Sequence, residues 1–424
     1  MKKVYIETYG CTANEADTNI MKSMLLKSGF KLVDRIEEAE VVILNTCIVR
    51  GESERKMVQR IIELRKLSKR FNFKLIVAGC MAKARPALVR EIAPEASMIS
   101  PQLVEEIVEV ASTPHRIVKI SGEKRTMLPA YFEGVKFTVP IAEGCLGNCT
   151  YCIVRIARGR LRSYSPEKII EAVKCAVKKG AKEIRITAQD TAIYGLDIGY
   201  SLPELINQIV EIPGDFMIRI GMMTPNAAMR ILNELLEIYS HPKVYKFLHI
   251  PLQSGDDRIL KLMRRKYTSS EFIEIAKKFR QKFPDGFIAT DIIVGFPTED
   301  EEAFENTVKV LEIIEPDKVH VARYTPRPHT EAAAMPQVKE NIKKIRSKII
   351  TEIALKIGLK RNIPYIGRIE EALVTDLGRK NTFKARLRSY RLVIFKSEGN
   401  CIGKWIKVNI ENATPIQLIG KLST

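Results

Sequence analysis

The first 120 residues alternate short β-branched runs, VYIET, VVILN and KLIVA, with helical stretches such as Asn14–Lys27 and Ser53–Arg70. A strand–helix rhythm of this kind is satisfied by a parallel sheet with helices on its faces. Each run leads straight into a cysteine: Cys11 in TYGCTANE, Cys47 in LNTCIVR and Cys80 in VAGCMAK. Loops leaving the carboxyl ends of parallel strands open on one edge of the sheet, where open α/β folds bind their ligands. The three cysteines are therefore expected to converge in space. A single cysteine after a strand is more often a small buried hydrophobe. Three at equivalent positions point instead to a metal or cluster with three protein ligands.

A polar stretch, 121–136, separates this unit from six further strands, expected at 137–141, 183–187, 216–220, 246–250, 287–294 and 318–322, that alternate with helices. Six βα units make an incomplete barrel, whose chemistry sits at the carboxyl ends of its strands. After the first of these strands comes GCLGNCTYC, with Cys145, Cys149 and Cys152 in a Cys-x3-Cys-x2-Cys array. Three thiolates suit a cuboidal iron–sulfur cluster, which ordinarily takes four, so one iron is left for an exogenous ligand. The segment resembles the radical S-adenosylmethionine enzymes. In these the methionine amino and carboxylate groups bind the open iron, and an electron from the cluster cleaves the sulfonium to a 5'-deoxyadenosyl radical. Structural zinc is the alternative, but zinc prefers four protein ligands and no second Cys-x2-Cys pair or Cys-x2-His is present.

A chain of 424 residues implies two or three domains. Its net charge of +19 favours a polyanionic partner such as nucleic acid. The charge is concentrated: residues 339–424 hold 19 Lys and Arg against 7 Asp and Glu. Here a basic connecting helix, 338–361, precedes a strand-rich segment, 364–424, that resembles the TRAM module, a small OB-like RNA-binding barrel. Lys384, Arg386, Arg388 and Arg391 are the expected RNA contacts, while Phe395 and Trp405 are expected in the barrel core. Eight cysteines with no leading apolar run argue against a secreted disulfide framework and for a reducing cytoplasm. No run is apolar and long enough to span a bilayer. Cys175 and Cys401 have no ligand spacing to the others.

In order, the motifs YGCTANEAD, LNTCIVR, AGCMAK, GCLGNCTYCIVRIARG, TAQDTAIYGLDIG, HIPLQSGDDRILKLMRR, TDIIVGFPTE and RYTPRPHTEAAAMPQV resemble the methylthiotransferase family over nearly the whole chain. The short GCLGNC spacing, ARGRLRSY and DTAIYGLDIG lean toward its archaeal and eukaryotic branch, which acts on N6-threonylcarbamoyladenosine in tRNA. His329 departs from the family, whose members usually carry Gly in an RPGT-like turn. The resemblance implies a mixed α/β fold in four parts. These are an open parallel-sheet domain (1–120), a partial (β/α)6 radical barrel (137–336), the connecting helix (337–361) and a TRAM-like barrel (362–424).

The resemblance also implies two [4Fe-4S] clusters, at Cys11/Cys47/Cys80 and Cys145/Cys149/Cys152, with S-adenosylmethionine as cosubstrate. One S-adenosylmethionine methylates a sulfur at the first cluster. A second yields the radical that takes hydrogen from carbon 2 of adenosine 37, beside the anticodon. An electron donor and a sulfur donor are required. Gln189, Arg219 and Gln253, at strand ends, are the expected S-adenosylmethionine contacts. Isopentenyladenosine in tRNA and an aspartate on a ribosomal protein are the alternative substrates. A non-catalytic iron–sulfur RNA-binding protein is the alternative of another class.

Overall fold

A computed structural model describes residues 1–122 and 126–423. Residues 123–125, inside the expected 121–136 connection, lie outside the described residues.

The first unit is a wholly parallel six-stranded sheet in the spatial order Lys31–Leu32, Lys3–Thr8, Val41–Thr46, Lys74–Gly79, Ser97–Ile99, Val118–Lys119. Strand alternation explains its two cores. Val41 and Ile43 face one side with Ile20, Leu25 and Ile107, whereas Val42 and Leu44 face the other with Met57, Ile61 and Leu64. Helix Thr12–Lys27 covers the first face and helix Gly51–Phe71 the second.

The barrel is two parallel three-stranded halves. Met217–Arg219, Glu183–Thr187 and Lys136–Pro140 form one; Phe247–His249, Phe287–Val294 and Lys318–Arg323 form the other. A bridge between Ile218 and Val244 joins them, with Ile218 N donating to Lys243 O at 2.7 Å and Tyr245 N to Ile218 O at 3.0 Å. Ile184, Ile186, Ile218, Leu248, Ile288 and Ile292 pack in the helix-facing core. The intervening residues Arg185, Arg219, His249, Asp291 and His320 consequently occupy the concave face.

Helix Glu340–Asn362 leads into a closed five-stranded barrel, ordered Ile369–Leu377, Thr382–Leu387, Leu392–Lys396, Leu418–Leu422, Trp405–Ala413. Phe395 fills its core, stacked on Phe383 at 5.7 Å. Trp405 does not. Its Nε1 donates to Asp215 Oδ1 at 3.0 Å on the central barrel, and the Arg388 guanidinium lies over its ring at 4.8 Å. This corrects the expectation that Trp405 lies in the core: a single indole N–H needs an acceptor, and the domain junction supplies one.

Arg391 is a second correction. It is 1% exposed and ion-paired with Asp317, and it donates to Asn362 Oδ1 and Asp285 O, both at 3.1 Å. A guanidinium committed inside the junction is closed to RNA phosphates. Among the described residues no helix is long and apolar enough to cross a membrane.

Candidate active site

The three strand-end cysteines of the amino-terminal sheet do converge. Cys11 caps helix Thr12–Lys27, Cys47 follows Val41–Thr46, and Cys80 opens the short helix Cys80–Ala84 after Lys74–Gly79. A β-carbon on Gly10, whose φ is +123°, would lie 2.9 Å from the Cys47 β-carbon, so only glycine lets these loops approach this closely. Asn14, fully buried, is the hub between them. The Cys11 and Cys80 thiols each donate to its Oδ1 at 3.8 Å, and its Nδ2 donates to Tyr9 O and Thr46 O at 2.9 and 2.8 Å.

The second triad lies on the loop after barrel strand Lys136–Pro140. Gly144 (φ +80°) anchors its start, since a β-carbon there would stand 2.0 Å from Arg160 O. Gly144 N donates to Gln189 Oε1 at 2.6 Å, so Gln189 holds the loop. Gly147 N donates to Cys145 Sγ at 3.2 Å, and Arg265 Nη1 to Cys149 Sγ at 3.3 Å.

Buried sulfur is costly to ionise without a cation. Burial pushes the Cys80 thiol up to about 12 and Cys152 up to about 11, and raises Cys47 and Cys145 as well, with neighbouring cysteines of the same triad adding to each. A coordinating cation strips such protons and repays the desolvation. Among the described residues no group of three or more His, Cys, Asp or Glu forms a ready site for a metal ion. The donor chemistry, two separate sets of three soft sulfurs, is what fits iron–sulfur clusters.

Arg158, six residues past Cys152 and 1% exposed, ties the triads together. Its Nη2 donates to Asn14 Oδ1 at 2.9 Å and to Asp17 Oδ2 at 2.6 Å, and its Nη1 to Glu143 Oε1 at 2.9 Å. One guanidinium thus contacts the residue that touches Cys11 and Cys80, as well as Glu143 just ahead of Cys145. Sequence reading passed over Asn14, Asp17, Glu143 and Arg158. The available signal was two polar residues, Asn14 and Asp17, on the sheet-facing side of a helix. The two units also meet where Thr12 Oγ1 and Thr187 Oγ1 lie 2.6 Å apart, where Arg185 Nη1 donates to Glu15 Oε2 at 3.1 Å, and where Arg327 Nη2 donates to Ile48 O at 2.8 Å.

The expected cosubstrate residues fall in different places. Gln253 follows the fourth barrel strand, bridged to Ile292, at φ +66° with its Oε1 buried and unpartnered, a strained, orphaned group at the barrel mouth. Arg219 lies deeper, over the Phe247 ring at 4.8 Å. Gln189 is occupied by Gly144. Of the expected RNA contacts, Lys384 and Arg386 are half-buried, Arg388 pairs with Glu371 at 3.0 Å, and Arg391 is buried.

A cysteine triad at the mouth of an incomplete βα barrel, joined through Arg158 and Asn14 to a second triad on a parallel sheet, defines a radical S-adenosylmethionine class of protein with an added cysteine-bearing domain. Comparison with known families agrees part by part. Residues 139–311 match the Radical SAM superfamily, residues 3–100 the Uncharacterized protein family UPF0004, and residues 364–422 the TRAM domain. Among curated proteins, the chain is 43% identical to the probable threonylcarbamoyladenosine tRNA methylthiotransferase of Pyrococcus horikoshii, covering 100% of both. It is 33% identical to the Drosophila melanogaster threonylcarbamoyladenosine tRNA methylthiotransferase over 99% of this chain and 78% of that protein. The chain belongs to the threonylcarbamoyladenosine tRNA methylthiotransferase family. Among solved structures, the radical S-adenosylmethionine methyltransferase TsrM from Kitasatospora setae shares the fold at TM-score 0.59 and 12% identity, over 78% of this chain and 73% of that one.

Proposed function

We propose that the protein methylthiolates N6-threonylcarbamoyladenosine at position 37 of tRNA, replacing the hydrogen on carbon 2 with a methylthio group. The observation that carries this reading is the pair of thiol triads locked to one barrel mouth through Asn14 and Arg158. Two sets of three sulfurs suit two tasks, radical generation and sulfur delivery, and the tie between them keeps the tasks in reach of one substrate atom.

In this reading Cys145, Cys149 and Cys152 hold one [4Fe-4S] cluster, and Cys11, Cys47 and Cys80 hold the other. When bound, the barrel cluster and S-adenosylmethionine supply a 5'-deoxyadenosyl radical. The chain's own contribution is positional. Gln189 fixes the triplet loop through Gly144 N, Arg265 places positive charge 3.3 Å from Cys149 Sγ, and Gln253 offers its free amide oxygen to the cosubstrate. The basic carboxy-terminal barrel, through Lys384, supports a grip on the tRNA backbone. External electron and sulfur donors complete the reaction, which we place with the tRNA pool in the cytosol.

The test is mass spectrometry of nucleosides from threonylcarbamoyl-modified tRNA, incubated anaerobically with the reconstituted protein, S-adenosylmethionine and a strong reductant. Gain of one methylthio group on that nucleoside is the expected result. Formation of 5'-deoxyadenosine without that product would overturn the substrate, and formation of neither by protein with intact clusters would overturn the chemistry.

A further inference from the structure

Arg158 is matched by Asp17 and Glu143, Arg346 by Glu299 and Arg391 by Asp317. On the concave face Arg185 is matched in the same way by Glu15, but the cations beside the carboxy-terminal barrel are not. Arg219 lies over the Tyr390 ring at 5.9 Å and Arg386 over the same ring at 4.5 Å, bringing two guanidiniums to one aromatic. Lys318, at the start of the last barrel strand, feels both of them. Loss of solvation and these two like charges lower its ammonium pKa, against a smaller pull from Asp291. Arg50, from the loop that follows Cys47, acts on Asp291 and His320 from the amino-terminal side.

Two acids stand near this row: Asp291, whose Oδ2 His249 Nε2 already meets at 2.7 Å, and Glu183, whose Oε1 accepts from the Tyr390 hydroxyl at 3.4 Å. Among the described residues no carboxylate forms an ion pair with Arg50, Arg219, Lys318 or Arg386, and Arg219 Nε is buried with no hydrogen-bond partner. Cations in excess of the acids beside them are unfavourable, and an anion bound among them relieves that cost.

We infer that this row receives the carboxylate of the threonylcarbamoyl group and so selects the substrate, an inference that rests on the proposed function. The occupant must be anionic and must reach the seam between the barrel and the carboxy-terminal barrel, because Arg219 and Lys318 come from the one and Arg386 from the other. A threonine carboxylate on the target base meets both conditions. An isopentenyl group carries no charge and would leave the row unpaired, a penalty that discriminates more strongly than shape.

The experiment uses the full chain with both clusters reconstituted, and anticodon stem–loop RNAs carrying either threonylcarbamoyladenosine or plain adenosine. The wild type is expected to bind the modified RNA more tightly. Lys318→Gln and Arg386→Gln should each cut that preference on the order of tenfold, whereas Lys318→Arg should keep it. Equal loss on both RNAs would assign the row to a backbone phosphate and overturn the inference. A fall in RNA-independent 5'-deoxyadenosine formation would assign it to the cosubstrate and overturn it too. Methylthio product on the modified stem–loop is scored separately. Preference without product would sink the proposed reaction and leave the carboxylate receptor standing; product without preference would do the reverse.

Discussion

Arg158 shows how much one buried side chain decides. Burial opposes its charge, yet Asp17, the Cys80 sulfur and Glu143 hold it protonated, with its pKa well above the usual value. Arg158→Met removes the cation and strands two buried carboxylates. We expect a loss of about 3–5 kcal/mol in urea unfolding of the cluster-free protein. His320 carries a pH signature instead. Burial, assisted by Lys318 and Arg50 and opposed by Asp291, pushes its imidazole down to about 4. The folded value lies below the unfolded one of about 6.5, so the unfolded chain binds the extra proton. Stability should therefore fall as pH drops from about 6.5 toward 4. His320→Asn should flatten that part of the melting-temperature profile, and an unchanged slope would remove His320 as its source. His329 sits at φ +60°, which explains why the related turn favours Gly: a β-carbon in the left-handed region costs about 1–2 kcal/mol.

The cysteine loops belong to two kinds of element with one geometry, the carboxyl ends of parallel strands. Their convergence was legible because LNTCIVR and its counterparts place the sulfur immediately after a β-branched run. The contact between the two units was not legible. It depends on helix Thr12–Lys27 packing on the inner face of the barrel through Thr12 and Glu15, and no local pattern specifies that partner. The loops should separate by function. Cys149→Ala should abolish 5'-deoxyadenosine formation, while Cys47→Ala should leave uncoupled cleavage without thiolated nucleoside. Chromatography of both products measures this, and equal loss of cleavage in both variants would make the triads one functional unit.

At the scale of the molecule, Asp317 gathers Arg280 and Arg361 at 3.0 and 3.3 Å, together with Arg391, from three different segments. Asp317→Ala leaves three guanidiniums without their shared carboxylate. We expect a loss of about 3–5 kcal/mol and new protease cleavage in the 362–369 connection. The same junction explains why the carboxy-terminal basic residues divide in two. Lys384→Glu should reduce the salt dependence of tRNA binding by about one unit of slope, whereas Arg391→Gln should leave that slope alone, both read from affinity across a salt series.

Composition and period were enough to point to α/β and β units, to two sets of three cysteines and to a polyanionic partner, because strand alternation, helix amphipathicity, ligand spacing and charge are properties of the chain itself. Only the tertiary structure decided which polar groups were spent on holding the units together. Arg391 and Trp405 went to a junction, Gln189 to a loop and Arg158 to the space between the triads. Burial of a charged or polar group is settled by the partner that meets it, and those partners lie 15 to 190 residues away in the chain.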